Sequence, residues 1–292
     1  MGKFRYLVVC SEEDPVAHRV WSELGALEST GLFLEGTAIR QWNEQVAVLH
    51  RPGFHIHDER LDAKLPQPLV REPLPMVFPS IHRSEQGIDC LTVHPLGNLG
   101  SEAEVGGSPR ALTPTAPRLM TGALRQIAEL APSAGLPATF EATHHGPLLG
   151  VAAFFMEIGF GAKEYPPEPA LKVLMRVLPS LEESSGDRIA MGVGGGHYAP
   201  HFTALALDRR WSFGHLISRH ALGTLSEAVA REAWQRTPEA EGILFTRAED
   251  FRLPVWEGWC RRLKDSDASR RPPRTLASGS WLTSGASSAS GT

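Results

Sequence analysis

The chain has 292 residues, 42% apolar and 21% charged, with a formal net charge of -4. That balance is ordinary for a globular protein and excludes a general electrostatic hold on nucleic acid, which comes mainly from Lys and Arg neutralising phosphates; an RNA ligand would need a local patch. No apolar run approaches the roughly 20 residues of a membrane helix, no signal peptide is expected, and the cysteines Cys10, Cys90 and Cys260 are too far apart for a disulfide framework or a Cys-x-x-Cys site.

A cytosolic protein with no membrane partner is therefore expected, and any metal must take histidine or carboxylate ligands.

The first apolar run, residues 6–10 (YLVVC), predicts a strand, and Ser11 to Pro15 supply helix-start chemistry ahead of a helix over 16–24. Further strands are expected at 46–49, 76–81 and 90–93, the last ending at His94-Pro95, with a polar, proline-containing stretch over 51–75. Residues 98–109 are rich in Gly, Ser and Glu and predict a long loop. A helix is expected from Thr113-Pro114 to 131, then strands at 140–143 and 151–158, a helix at 169–178 and a strand at 189–193. The last helix is expected at 221–235 and the last strand at 243–246. This alternation predicts an α/β fold, a three-layer mixed sheet with helices on both faces, in one catalytic domain over 1–263. Residues 264–292 turn to Ser, Gly, Ala, Arg and Pro, too poor in apolar residues to offset ordering entropy, and predict a disordered tail.

Two segments carry most of the chemistry. Glu141-Ala142-Thr143-His144-His145-Gly146-Pro147 ends a strand; successive strand side chains alternate, so His144 and His145 share a side only if the strand has already broken. Glu141 could orient an imidazole. Gly192-Val193-Gly194-Gly195-Gly196-His197-Tyr198-Ala199-Pro200-His201 is a glycine-rich loop whose N–H groups could hold an anion. It has neither the Walker nor the dinucleotide spacing, and Pro200 between His197 and His201 excludes a helical His-Glu-x-x-His zinc motif.

His82, His94 and His215 also follow or adjoin apolar runs, and strand ends on one edge of an α/β sheet form the usual ligand crevice. Any one such histidine is more often a satisfied structural residue than a metal ligand; five in loops after apolar strands shift that balance, and if these elements are adjacent, His82, His94, His144 or His145, His197 and His215 converge. His18, His50, His55 and His57 have no such setting and are expected to be surface or packing residues.

Taken together the segments resemble the archaeal and plant type of D-aminoacyl-tRNA deacylase. The matching stretches are SEEDPVA (11–17), Ser80-Ile81-His82-Arg83-Ser84, LTVHPLGNLG (91–100), EATHHGP (141–147), FFMEIG (154–159), GVGGGHYAPHFT (192–203) and GHLISRH (214–220). The family usually has a double histidine before Pro-Gly-Asn-Phe, where this chain reads His94-Pro95-Leu96-Gly97-Asn98-Leu99.

The resemblance implies a phosphorylase/peptidyl-tRNA hydrolase-like fold, zinc dependence, and hydrolysis of the ester joining a D-amino acid to the terminal ribose of tRNA. On that reading the catalytic candidates are His144, His145, Glu141 and His197. The substrate-binding candidates are Gly194, Gly195, Gly196, Tyr198, Ser80 and Asn98, and the zinc candidates His82, His144, His197, His201 and His215. A monomer acting on aminoacyl-tRNA is expected. The competing readings are a metal-dependent hydrolase of a small ester or amide without tRNA, and a non-catalytic RNA-binding protein.

Overall fold

Alternation along the first strand sets the layers of the computed structural model, which describes residues 4–67, 69, 74–82, 89–160, 166–251, 255–256 and 274–277. In β1 (Tyr6–Ser11) the side chains of Tyr6, Val8 and Cys10 enter one apolar cluster while Leu7 and Val9 enter another on the opposite face, as a period of two requires. Each such side chain removed from water contributes about 1.5–3 kcal/mol before the entropy of ordering is set against it.

The large sheet adds β2 (Glu28–Leu34), β3 (Thr37–Asn43), β4 (Val46–Arg51), β5 (Met76–His82), β6 (Cys90–Pro95), β9 (Ala138–Phe140) and β10 (Ala153–Gly159). Its order is β2-β3-β4-β1-β5-β10-β6-β9. β10 runs parallel to β5 and antiparallel to β6. The short pair β7 (Gly97–Asn98) and β8 (Ala111–Leu112) brackets the long loop over 99–110. A second sheet, all parallel in order β12-β11-β13-β14, is formed by β11 (Arg188–Val193), β12 (Trp211–Ile217), β13 (Gly242–Phe245) and β14 (Arg274–Ala277).

The mixed-sheet α/β reading therefore holds, with the strands divided between two principal sheets. Helices Pro15–Glu23, Pro117–Leu130, Glu168–Val177 and Pro200–Leu207 cover one face of the large sheet, through residues such as Val20, Leu124, Leu174 and Phe202. Among the described residues, its other face carries the short helices His55–His57 and Leu61–Lys64 with their flanking chain. The second sheet packs on both sides, with helix Glu227–Gln235 on the side of Met191 and Val193.

Several elements differ from the sequence-based expectation. The β2–β3 hairpin, helix Pro200–Leu207 and strand β12 were not expected; Pro200 opens that helix at its first position, where a missing N–H costs nothing. The helix expected over 221–235 is two pieces, Arg219–Leu222 and Glu227–Gln235, the second capped by the Ser226 hydroxyl. The strand expected at 140–143 ends at Phe140. Four residues of the segment expected to be disordered, Arg274–Ala277, form β14. The open edge of β13 offers backbone groups that need partners, and this overrides a composition poor in apolar residues. The rest of 264–292 lies outside the described residues, as do Arg83 and Ser84.

Candidate active site

The site is assembled at the seam between the two sheets. Glu141 N–H donates to Val93 O (3.0 Å) on the large-sheet side, and Thr143 N–H donates to Leu216 O (2.7 Å) on the second. Between them Ala142 N–H donates to His197 O (2.8 Å), which ties the EATHH segment to the glycine-rich loop. The strand has already broken, and His145 turns through a left-handed conformation (φ 39°), so His144 and His145 approach the same cluster, each packing against His94.

Strand register supplies the other members. Met76, Phe78, Ser80 and His82 alternate onto one face of β5; Glu157 lies opposite Ser80 and Phe155 opposite His94. His82, Glu157 and His94 thus emerge from the thinly covered face of three neighbouring strands.

Three overlapping groups of metal-capable atoms result among the described residues: His82, Glu141, His144 and His197; His94, His144 and His145; and His94, Glu141 and Glu157. Glu141 is fully buried, with Oε1 3.4 Å from His82 Nδ1 and Oε2 3.2 Å from His197 Nε2 and 3.6 Å from His144 Nε2. Neither Glu141 oxygen has a hydrogen-bond partner. Glu157 Oε2 lies 3.2 Å from His82 Nδ1 and 3.5 Å from His94 Nε2.

The electrostatics divide the histidines into two classes. Burial acts to raise the Glu157 carboxyl, but His94 and His82 beside it hold it well below the usual range. Burial likewise acts to lower His82 and His94, and the carboxylates, Glu157 foremost, outweigh it, so both are raised. His144 is held well below its ordinary value by burial and then by the neighbouring imidazoles, and His145 is pushed down to about 4 for the same reasons. His144 and His145 are therefore neutral at pH 7, and their Nδ1 atoms contact Ala142 O (2.8 Å) and Gly146 O (2.7 Å). A carbonyl only accepts, so each Nδ1 carries the proton and each Nε2 presents a lone pair.

The lone pair of His144 then faces a Glu141 carboxyl oxygen that no hydrogen bond satisfies. Two acceptors 3.6 Å apart favour a cation or proton between them. An imidazole whose Nδ1–H is held by a backbone carbonyl while Nε2 points inward is the usual arrangement of a metal ligand. Three imidazoles and a carboxylate suit zinc by ligand type.

Of the other predicted residues, Tyr198 reaches the cluster, its hydroxyl 3.2 Å from His82 Nε2. Ser80 is buried and donates from Oγ to Asp14 Oδ2 (2.7 Å), an aspartate that also caps helix Pro15–Glu23. Asn98 donates to Gly106 O (2.8 Å) and closes its own loop. Two of the five zinc candidates belong to none of the three groups. His201 is exposed at the start of helix Pro200–Leu207, which carries it beyond the cluster, and His215 is buried in the seam with Nδ1 3.0 Å from Thr143 Oγ1. Gly194 N–H donates to Ile217 O (2.8 Å), so it is not a free anion donor; Gly195 and Gly196 remain for that role.

His94 was among the histidines expected to converge, whereas Glu157 was not among the predicted site residues. The signal for Glu157 was present: one carboxylate inside the otherwise apolar strand AFFMEIG.

Two clefts open from the cluster. One, of about 950 Å³, lies along the glycine-rich loop; the other, of about 600 Å³, lies over His144, His145 and Glu157. His82 and His197 line both.

Comparison with known proteins identifies the family. A D-aminoacyl-tRNA deacylase of Thermoplasma acidophilum is 31% identical over 242 residues, 83% of this chain and 90% of that protein. One from Methanosarcina acetivorans is 33% identical over 237 residues, 80% of this chain and 77% of that protein. One from Methanoregula boonei is 42% identical over 167 residues, of which the match spans 57% of this chain and 36% of that longer protein. The crystal structure of AF0625, a conserved protein of unknown function, has the same fold, with a TM-score of 0.71 at 23% identity, covering 91% of this chain and 93% of the other. The family model described as D-aminoacyl-tRNA deacylase matches residues 70–250, and the chain belongs to that family.

Proposed function

We propose that the chain hydrolyses the ester bond between a D-amino acid and the terminal ribose of tRNA, releasing both. The observation that carries the reading is the convergence of Glu141, His82, His144 and His197 around unpaired buried acceptors, in a chain of the deacylase family. An aminoacyl ester is already activated, so a site needs chiefly to position water, polarise the carbonyl and stabilise the oxyanion.

His82, Glu141, His144 and His197 would hold a zinc ion, which when bound supplies Lewis-acid polarisation and acidifies water. The chain's own groups do the rest. Glu157 lies beside the imidazole of His94, and the Tyr198 hydroxyl holds His82 Nε2, so that Nδ1 is the atom His82 would offer the ion. His145 borders the smaller cleft with a free Nε2 lone pair, takes the proton of the attacking water, and returns it to the leaving ribose oxygen. The Gly195 and Gly196 amides meet the oxyanion or a phosphate of the CCA end.

The enzyme is read as a cytoplasmic monomer with one catalytic domain over 1–263, acting on aminoacyl-tRNA. Among the described residues no helix is long and apolar enough to cross a membrane. The deciding experiment is to incubate the purified protein with matched D- and L-aminoacyl-tRNA. Faster release from the D-substrate is expected; equal rates, or none, would overturn the proposal.

A further inference from the structure

The two clefts that meet at His82 and His197 have opposite electrical character. The larger carries Arg247, His201 and His220 together with Arg219, which is paired with Asp250 (3.0 Å), and no carboxylate among its described lining residues. The smaller has an apolar wall of Phe54, Ile56, Ile81 and Val105, and its carboxylates among described lining residues are Glu13 and Glu157, the latter lying against His82 and His94.

We propose, resting on the deacylase reading, that the smaller cleft receives the aminoacyl group, with Val105 as a specificity-determining contact for its side chain, and that the larger receives the terminal nucleotide. The substrate is itself bipolar. Its nucleotide end carries phosphates, which a wall of arginine and histidine attracts, and its acyl end carries an α-ammonium one carbon from the scissile carbonyl, which carboxylates attract. The ester that joins the two ends then falls where the clefts join, beside Glu141, His144 and His197. The reverse placement sets phosphates against Glu13 and Glu157 and the ammonium against Arg219 and Arg247.

Val105 has the properties such a contact needs. It is half exposed, an apolar side chain held in water. The loop that bears it is pinned: Gly146 N–H donates to Val105 O (3.1 Å), Gly107 N–H donates to Glu59 Oε1 (2.6 Å), and Asn98 clasps Gly106 O. Gly106, at φ +72°, packs so closely that a Cβ there would lie 1.9 Å from Ile56 O. The loop cannot fold Val105 inward, so its surface leaves water only when a ligand covers it. The role that the sequence assigned to Asn98 in binding substrate becomes one of positioning Val105.

The test compares kcat/KM for D-tyrosyl- and D-alanyl-tRNA in Val105→Ser and Arg247→Ala, both exposed positions where folding is checked by circular dichroism. Val105→Ser should reduce the D-Tyr over D-Ala preference roughly tenfold, the scale of a lost apolar contact in a specificity pocket. Arg247→Ala should lower both substrates equally, leave that ratio unchanged, and reduce the salt dependence of log kcat/KM by about one charge. A Val105→Ser effect equal on both substrates, or an Arg247→Ala effect that depends on the side chain, would overturn the assignment. Wild-type protein inactive on both D-substrates would instead overturn the deacylase reading.

Discussion

His144 Nε2 lies 3.6 Å from Glu141 Oε2, with the His144 proton committed to Ala142 O on the other side of the ring. Two lone pairs therefore confront each other, and this relationship is what supports reading the cluster as a cation site.

Replacing Glu141 by Gln keeps its volume, removes the charge, and puts an amide among the imidazoles. Deacylation by Glu141→Gln should fall roughly 100-fold or more, with metal affinity reduced by a comparable factor. Single-turnover rates and equilibrium dialysis against zinc measure the two effects; a folded variant with wild-type turnover would show that the carboxylate plays no part.

Chelation should abolish turnover and lower the melting temperature by a few degrees, because a ligand at about 100 times its dissociation constant contributes about 2.7 kcal/mol. Adding back zinc should restore both. Differential scanning fluorimetry with and without chelator gives the answer, and an unchanged melting curve together with full activity would refute a bound metal.

His55 packs between Phe78 and Phe155 with neither ring nitrogen hydrogen-bonded. Burial pushes its imidazole down to about 3, with Glu157 acting against that shift and His145 adding to it. An unfolded histidine titrates near 6.5, so on acidification the unfolded chain takes the proton first. Stability linked to this residue is complete above pH 6.5 and drains away as pH falls toward 3, at up to about 1.4 kcal/mol per pH unit. His55→Leu should flatten the dependence of the urea midpoint on pH between 6 and 4, and add about 1 kcal/mol at pH 7 by removing an unpaired polar group. An unaltered slope would locate the acid sensitivity elsewhere.

Gly194 and Gly196 should respond differently to alanine. Gly194 is at φ +106°, and a Cβ there would lie 2.1 Å from Thr246 Oγ1 and 2.6 Å from Asp250 Oδ2; at Gly196 the nearest atom is 3.6 Å away, with no positive φ. Gly194→Ala should destabilise the protein by about 1–3 kcal/mol, while Gly196→Ala should melt with the wild type. Thermal unfolding of the pair decides it, and equal melting temperatures would contradict the packing described.

Local chemistry alone placed β1, β4, β5, β6, β10 and β11, because their apolar runs leave little choice of element, and it marked EATHHGP and GGGHYAP as chemical segments. It also foresaw that His144 and His145 could share a side only where the strand had broken, as it has at Phe140. Which residues meet was decided by tertiary structure. Glu157 and His94 became neighbours of His82 only because β10 inserts between β5 and β6 in one register, and a shift of one residue would turn Glu157 to the helix-covered face. His201 and His215, equally plausible in the linear text, were separated from the cluster by the helix that starts at Pro200 and by the inward facing of His215 on β12. A sequence specifies the chemical character of each position; the direction in which a side chain points depends on pairings many residues away, and the facing lone pairs of Glu141 and His144 are visible only once those pairings exist.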